Sequence, residues 1–74
     1  MSFIPNFNDA QSWLNSWQVL ADNGSERAKR FIREAAIEQR ANLESVKYRG
    51  YHPEIQIPEY ERGVRLIERA AKTL

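Results

Sequence analysis

The sequence predicts an all-α fold: a three-helix bundle-like domain with a long central helix and an extended connection before the last helix, forming one domain over residues 1–74. Three observations carry that expectation. The stretch from Ser25 to Tyr48, SERAKRFIREAAIEQRANLESVKY, contains neither proline nor glycine. Apolar residues on both sides of it recur at helical spacing. The interruptions, at Asn23-Gly24 and between Gly50 and Pro53, carry the residues that stop helices.

The first helix is expected over about 8–22. Ile4-Pro5 admits a start in the first turn, and Asn8 followed by Gln11 has capping-box spacing, so Pro5 and Asn8 compete as its beginning. Phe7, Ala10, Trp13, Leu14, Trp17, Leu20 and Ala21 form an apolar stripe, which makes the two tryptophans core residues in the first instance. The opposite face carries Gln11, Ser12, Asn15, Ser16 and Gln18, with Val19 among them. It is polar but uncharged, hence cheaper to desolvate than a charged face. Gln11, Asn15, Gln18 and Val19 are therefore candidate contact residues.

The central helix is expected over about 25–48, with Ser25 as N-cap and with Lys47 and Arg49 close to its negative end. Ala28, Phe31, Ile32, Ala35, Ala36, Leu43 and Val46 share one broad face. Gln39 and Asn42 lie inside that arc. A buried amide without partners costs about 1–3 kcal/mol, so each either sits at the edge, meets water, or fixes the register of a helix pair. Lys29, Arg33, Arg40 and Lys47 line one flank, and Arg27, Lys29, Arg30 and Arg33 crowd the first two turns. The helix dipole prefers acids there, so local stability does not account for the crowding.

The connection that follows brings Tyr48, Arg49, Tyr51 and His52 together, and Tyr51 and His52 are candidate contact residues in a stacking or anchoring role. Ile55 and Ile57 alternate with Gln56, which suits a short extended piece laying both isoleucines on the core. The last helix is expected over about 58–73, opened by Pro58. Tyr60, Val64, Ile67, Ala71 and Leu74 make its buried face, Gly63 marks a close approach of another helix, and Arg62, Arg65, Arg69 and Lys72 form a second basic stripe. The pairs Glu61–Arg65 and Glu68–Lys72 give that stripe a structural reason of its own. IPNFNDAQSWL and IPEYERGVRLI echo one another, which reads as convergent helix-start chemistry rather than a repeat.

Composition narrows the function classes. The net charge is +1, and all 11 Lys and Arg lie beyond Ser25, while Asp9 and Asp22 are the ionisable side chains before it. That is not the bulk basicity of a chain that binds nucleic acid by charge alone. No apolar run approaches the roughly 20 residues of a membrane span, and MSFIPNF lacks the pattern of a signal peptide. With no Cys, neither disulfides nor thiolate sites are available, and the expected setting is cytoplasmic. One histidine, no cysteine and no phosphate-cradling glycine loop give no catalytic, metal or cofactor constellation.

The expectation is accordingly a small non-enzymatic interaction protein, an adaptor, regulator or inhibitor, that contacts another protein or a second copy of itself. The alternative is a nucleic-acid-binding regulator. It would use the basic stripes of the second and third helices, Lys29, Arg33, Arg40 and Lys47 foremost with Tyr51 as a stacking group, or present Arg27, Lys29, Arg30 and Arg33 from the N-terminal turns of the central helix to an acidic partner or to base edges.

Overall fold

A computed structural model describes residues 6–49 and 55–74 and contains three helices: α1 (Phe7–Asp22), α2 (Glu26–Arg49) and α3 (Ile57–Lys72). The ends of α1 follow from two short devices. Asn6, in extended conformation, turns its Oδ1 to the backbone N–H groups of Asn8 (2.8 Å) and Asp9 (3.4 Å). Asn6 is therefore the N-cap, and the capping box expected at Asn8 and Gln11 is not used. Only a residue outside the helix can turn its side chain back over the first turn, and Asn8 is already helical. Pro5 lies outside the described residues.

At the other end the Gly24 N–H donates to the Ala21 carbonyl and the Ser25 N–H to the Leu20 carbonyl, both at 3.0 Å. This is a Schellman closure, and it places Gly24 at φ 94°, a backbone conformation that residues with a side chain adopt only under strain. Ser25 serves twice. Its Oγ also accepts the Ala28 N–H at 3.2 Å and so caps α2, as its position in the sequence predicts. The chain reverses within this turn, and α2 runs back along α1.

α3 begins one residue earlier than expected, at Ile57, with Gln56 as an extended N-cap and the Gln56 carbonyl accepting the Tyr60 N–H. Pro58 sits within the first turn, where its missing N–H is harmless. The caps of α1 and α3 thus stand on opposite sides of their prolines in sequence, and the Ile-Pro echo does not carry a common cap geometry. Ile55 and Ile57 both pack on the cluster of Leu43, Val46, Tyr60 and Val64, as expected, but not as one extended piece: Ile57 is already the first residue of α3.

The core forms three tiers along a body of 40 × 19 × 18 Å. Leu14, Ala21, Ala28 and Ile32 fill the tier at the α1–α2 turn, with Trp13, Trp17 and Leu74 against them. Ala10, Ala35, Ala36 and Ile67 fill the middle. Leu43, Val46, Tyr60 and Val64 fill the far end. These contacts make α2 antiparallel to both α1 and α3, and α1 parallel to α3. The middle tier is narrow because its residues are small. A methyl group at Gly63 would lie 3.0 Å from the Ala10 Cβ and 3.6 Å from the Phe7 Cα, the close helix approach that a glycine at this position suggests.

Several residues of the predicted apolar stripes sit further out than their periodicity implies. Phe7, Trp13, Trp17, Phe31, Ala71 and Leu74 are half-buried, and Leu20 is exposed. The alanines opposite the tryptophans bring the helices close, leaving no interior volume for an indole. Each tryptophan lies across the edge of the core, with Trp17 tilted on Phe31 at 4.9 Å between ring centres and Trp13 beside it.

Candidate interaction surfaces

Gln39 and Tyr60 decide what the amides of α2 are for. Gln39 is buried and accepts the Tyr60 hydroxyl at 3.4 Å, and no buried side-chain nitrogen or oxygen among the described residues lacks a partner. Of the readings open from the sequence, Gln39 fulfils the internal one: it ties α2 to α3 and is closed to an external partner. Burial pushes the Tyr60 hydroxyl up to about 12. Asn42, one turn away on the flank, is half-buried. Tyr51 and His52 lie outside the described residues.

The basic stripe of α2 divides. Arg40 donates to both oxygens of Glu68 on α3, through Nε at 2.9 Å and Nη2 at 2.6 Å, and also reaches Glu44 at 3.4 Å. The planar guanidinium suits this two-point grip. Arg40 holds the Glu68 carboxyl below its ordinary range against a smaller opposing effect of burial, and Glu68 in turn raises the Arg40 guanidinium. Lys47 spans Glu44 (3.9 Å) and Glu61 (3.4 Å), and Lys29 reaches Glu26 at 3.4 Å. Arg27 lies over the Phe31 ring at 5.4 Å. Among the described residues, Arg27, Arg30 and Arg33 have no carboxylate within 4 Å.

The Arg40–Glu68 grip yields a pH prediction. Because the folded carboxyl titrates below its ordinary 4.5, its contribution is present above that pH and is lost as pH falls through the lowered value. The pair is partly exposed, so Glu68→Gln is expected to cost about 1 kcal/mol near neutrality. The urea-unfolding difference between wild type and Glu68→Gln should be constant from neutral pH to about pH 5 and shrink on further acidification. A difference that does not change between pH 5 and strong acid would show that the grip contributes nothing.

On α3, Arg62 lies over the Phe7 ring at 4.3 Å and pairs with Glu59, and Arg65 pairs with Glu61. With Arg69 and Leu66 they line an open groove of ≈ 310 Å³ against Phe7. A second open groove of ≈ 340 Å³ runs between α2 and α3 and is lined by Arg33, Ala36, Ile37, Glu68, Ala71 and Lys72. Among the described residues no three His, Cys, Asp or Glu side chains converge as a metal site, and no helix is long and apolar enough to cross a membrane.

The outer face of α1 keeps the character its sequence predicts. Gln11, Asn15 and Val19 are exposed, and Gln18, half-buried, donates to Asp22 at 2.9 Å. Ser16 Oγ returns to the Ser12 carbonyl at 3.2 Å. Val19 and Leu20 are 60% and 47% exposed and adjoin one another on this side. Sequence reasoning passed over one more exposed apolar side chain, Ile37 (73%), whose signal was its place on the polar side of the α2 wheel. Tyr48, grouped from the sequence with Arg49, Tyr51 and His52, is 93% exposed.

The chain matches no protein-family model, and no curated protein and no solved structure is significantly similar to it.

Proposed function

We propose that the chain is a small, non-enzymatic interaction protein that docks on another protein through the outer face of α1. One observation carries the reading: no residue from Ala10 to Ala21 is ionisable, and the solvent side of that run offers Gln11, Ser12, Asn15, Ser16, Val19 and Leu20. Protein interfaces are depleted of charge at their centres because a buried, unpaired charge is expensive, whereas an amide or hydroxyl needs only a hydrogen-bond partner. The outer faces of α2 and α3 are dense in Arg, Lys and Glu, so α1 is the surface a protein covers at least cost. The half-buried Trp17 beside Leu20 adds apolar area at its edge.

Val19→Arg tests this. Val19 is exposed, so the substitution is expected to change stability by no more than about 0.5 kcal/mol. The native chain, immobilised and offered cell extract, should retain a protein partner across a salt series, and the Val19→Arg chain should lose it. A partner held equally by both chains would show that α1 is not the docking face.

The second reading, a nucleic-acid-binding regulator, is favoured by Arg27, Arg30 and Arg33, which project from the first turns of α2 with no carboxylate within 4 Å among the described residues. Arg40 and Lys47, engaged with Glu68, Glu44 and Glu61, are less available for it. Its mark is salt dependence. Affinity for mixed-sequence duplex should fall steeply with salt, and Arg30→Ala with Arg33→Ala should flatten the log–log slope by about 2.

A further inference from the structure

The outer face of α2, which borders the α2–α3 groove at Arg33 and Ile37, carries the two most exposed large apolar side chains among the described residues, Ile37 and Tyr48. Between and around them lie the exposed residues Arg30, Arg33, Glu34, Ala41, Glu44 and Ser45. None of them supports the core. At 100° per residue these side chains fall within one outward arc, with Ile37 near its centre. Arg33 and Glu44 lie on the flank nearer α3, the side from which Arg40 and Lys47 reach Glu68 and Glu61. Arg30, Ala41 and Tyr48 lie just to the other side, with Glu34 and Ser45 beyond them.

We propose that this face is self-complementary and that two copies of the chain pair along it, antiparallel across a two-fold axis level with residue 39. In such a pair, a residue some distance before the axis on one copy lies beside the residue equally far beyond it on the other. Like flanks meet like flanks. Ile37 then seats against Ala41 of the second copy, where a small side chain leaves room for it. Arg30 comes beside the second copy's Tyr48, within reach of a cation–π contact. On the α3 flank Arg33 meets the second copy's Glu44, and on the far flank Glu34 meets its Ser45, each pair offset by one residue from level because the residue on the same flank is the nearer neighbour. The symmetry repeats each contact.

Charge decides in favour of a second copy rather than an unrelated chain. Arg30 and Arg33 are without a carboxylate among the described residues, and Glu44 has only long contacts with Arg40 (3.4 Å) and Lys47 (3.9 Å). The antiparallel register gives each a partner while covering both exposed apolar side chains. A parallel pair would instead bring Arg30 and Arg33 against their own copies. The α1 face is on another helix and is not used, so this pairing and the α1 docking can fail separately.

The contact is one helix wide, so association is expected between about 10 μM and about 1 mM. Sedimentation equilibrium over that range should show the weight-average mass rising from monomer toward dimer. Ile37→Glu should stay monomeric with an unchanged helical circular dichroism spectrum, since Ile37 is outside the core. Glu44→Arg should raise the dissociation constant about tenfold or more, and Arg33→Glu combined with Glu44→Arg should bring it back toward wild type. Val19→Arg should dimerise normally. A monomer throughout the range overturns the proposal. Association untouched by Ile37→Glu, or no recovery in the charge exchange, overturns it equally, by showing that copies meet elsewhere or in another register.

Discussion

Replacing Tyr60 by Ala is expected to remove a large part of the protein's stability. Tyr60 is fully buried and the largest such side chain among the described residues, and it fills the far tier with Leu43, Val46 and Val64. Removing a large aromatic from a core costs about 3–5 kcal/mol, because the cavity it leaves collapses only in part. A domain of 74 residues has a total stability on the order of 4–11 kcal/mol. The deletion is therefore comparable with the whole. Urea unfolding followed by circular dichroism measures it, and a loss under about 1.5 kcal/mol would mean that the tier is loosely packed.

Tyr60→Phe separates packing from polarity. It keeps the ring and removes the long bond to Gln39, so it should cost about 1 kcal/mol. It also removes a titration. With the folded hydroxyl pushed up to about 12 from an ordinary 10, the unfolded chain releases its proton first as pH rises. The stability that Tyr60 contributes is thus complete below pH 10 and is lost progressively toward about pH 12. Wild type should lose stability relative to Tyr60→Phe across that window. Parallel curves would mean that water reaches the hydroxyl.

Gly63→Leu is the second large effect. The space that a Cβ at this position would enter is bounded by the Ala10 Cβ at 3.0 Å, the Phe7 Cα at 3.6 Å and the Asn6 carbonyl at 3.8 Å. Two of those three neighbours are backbone and cannot turn aside. A leucine must push α1 off α3, at a cost of about 3 kcal/mol or more. Gly63→Ala is the finer probe. Helix propensity favours it by about 1 kcal/mol, while the 3.0 Å approach to Ala10 opposes it. Pairing it with Ala10→Gly relieves that approach, so the double variant should be more stable than the sum of the single effects predicts. Strict additivity would show that α1 and α3 do not touch there.

The helices were legible because their signals are local. Ser25 caps α2 and Gly24 closes α1 whatever packs on them, since both act within a few bonds along the chain. The missed cap at Asn6 is a competition between two asparagines, won by the one whose backbone is extended. Gln39 was visible as an anomaly in the apolar arc. Its role was not, because the hydroxyl that satisfies it comes from Tyr60, 21 residues further along. The same limit hid the Arg40–Glu68 grip. Arg40 reads as one more cation in a stripe until α3 brings a carboxylate 28 residues away to within 2.6 Å.

What the amino-acid order alone determined is the helix content, the turn, the face each helix buries and the uncharged stretch of α1. All of these depend on residue type at a fixed spacing of 3.6 per turn. What only the tertiary structure decided is how deep each buried face goes and which charges remain without a partner. The small residues Ala10, Ala35, Ala36 and Gly63 let the helices close until the tryptophans were left at the edge. That closeness in turn brought Glu68 and Glu61 against Arg40 and Lys47. Depth and pairing are properties of the distance between helices, and no single helix contains that distance.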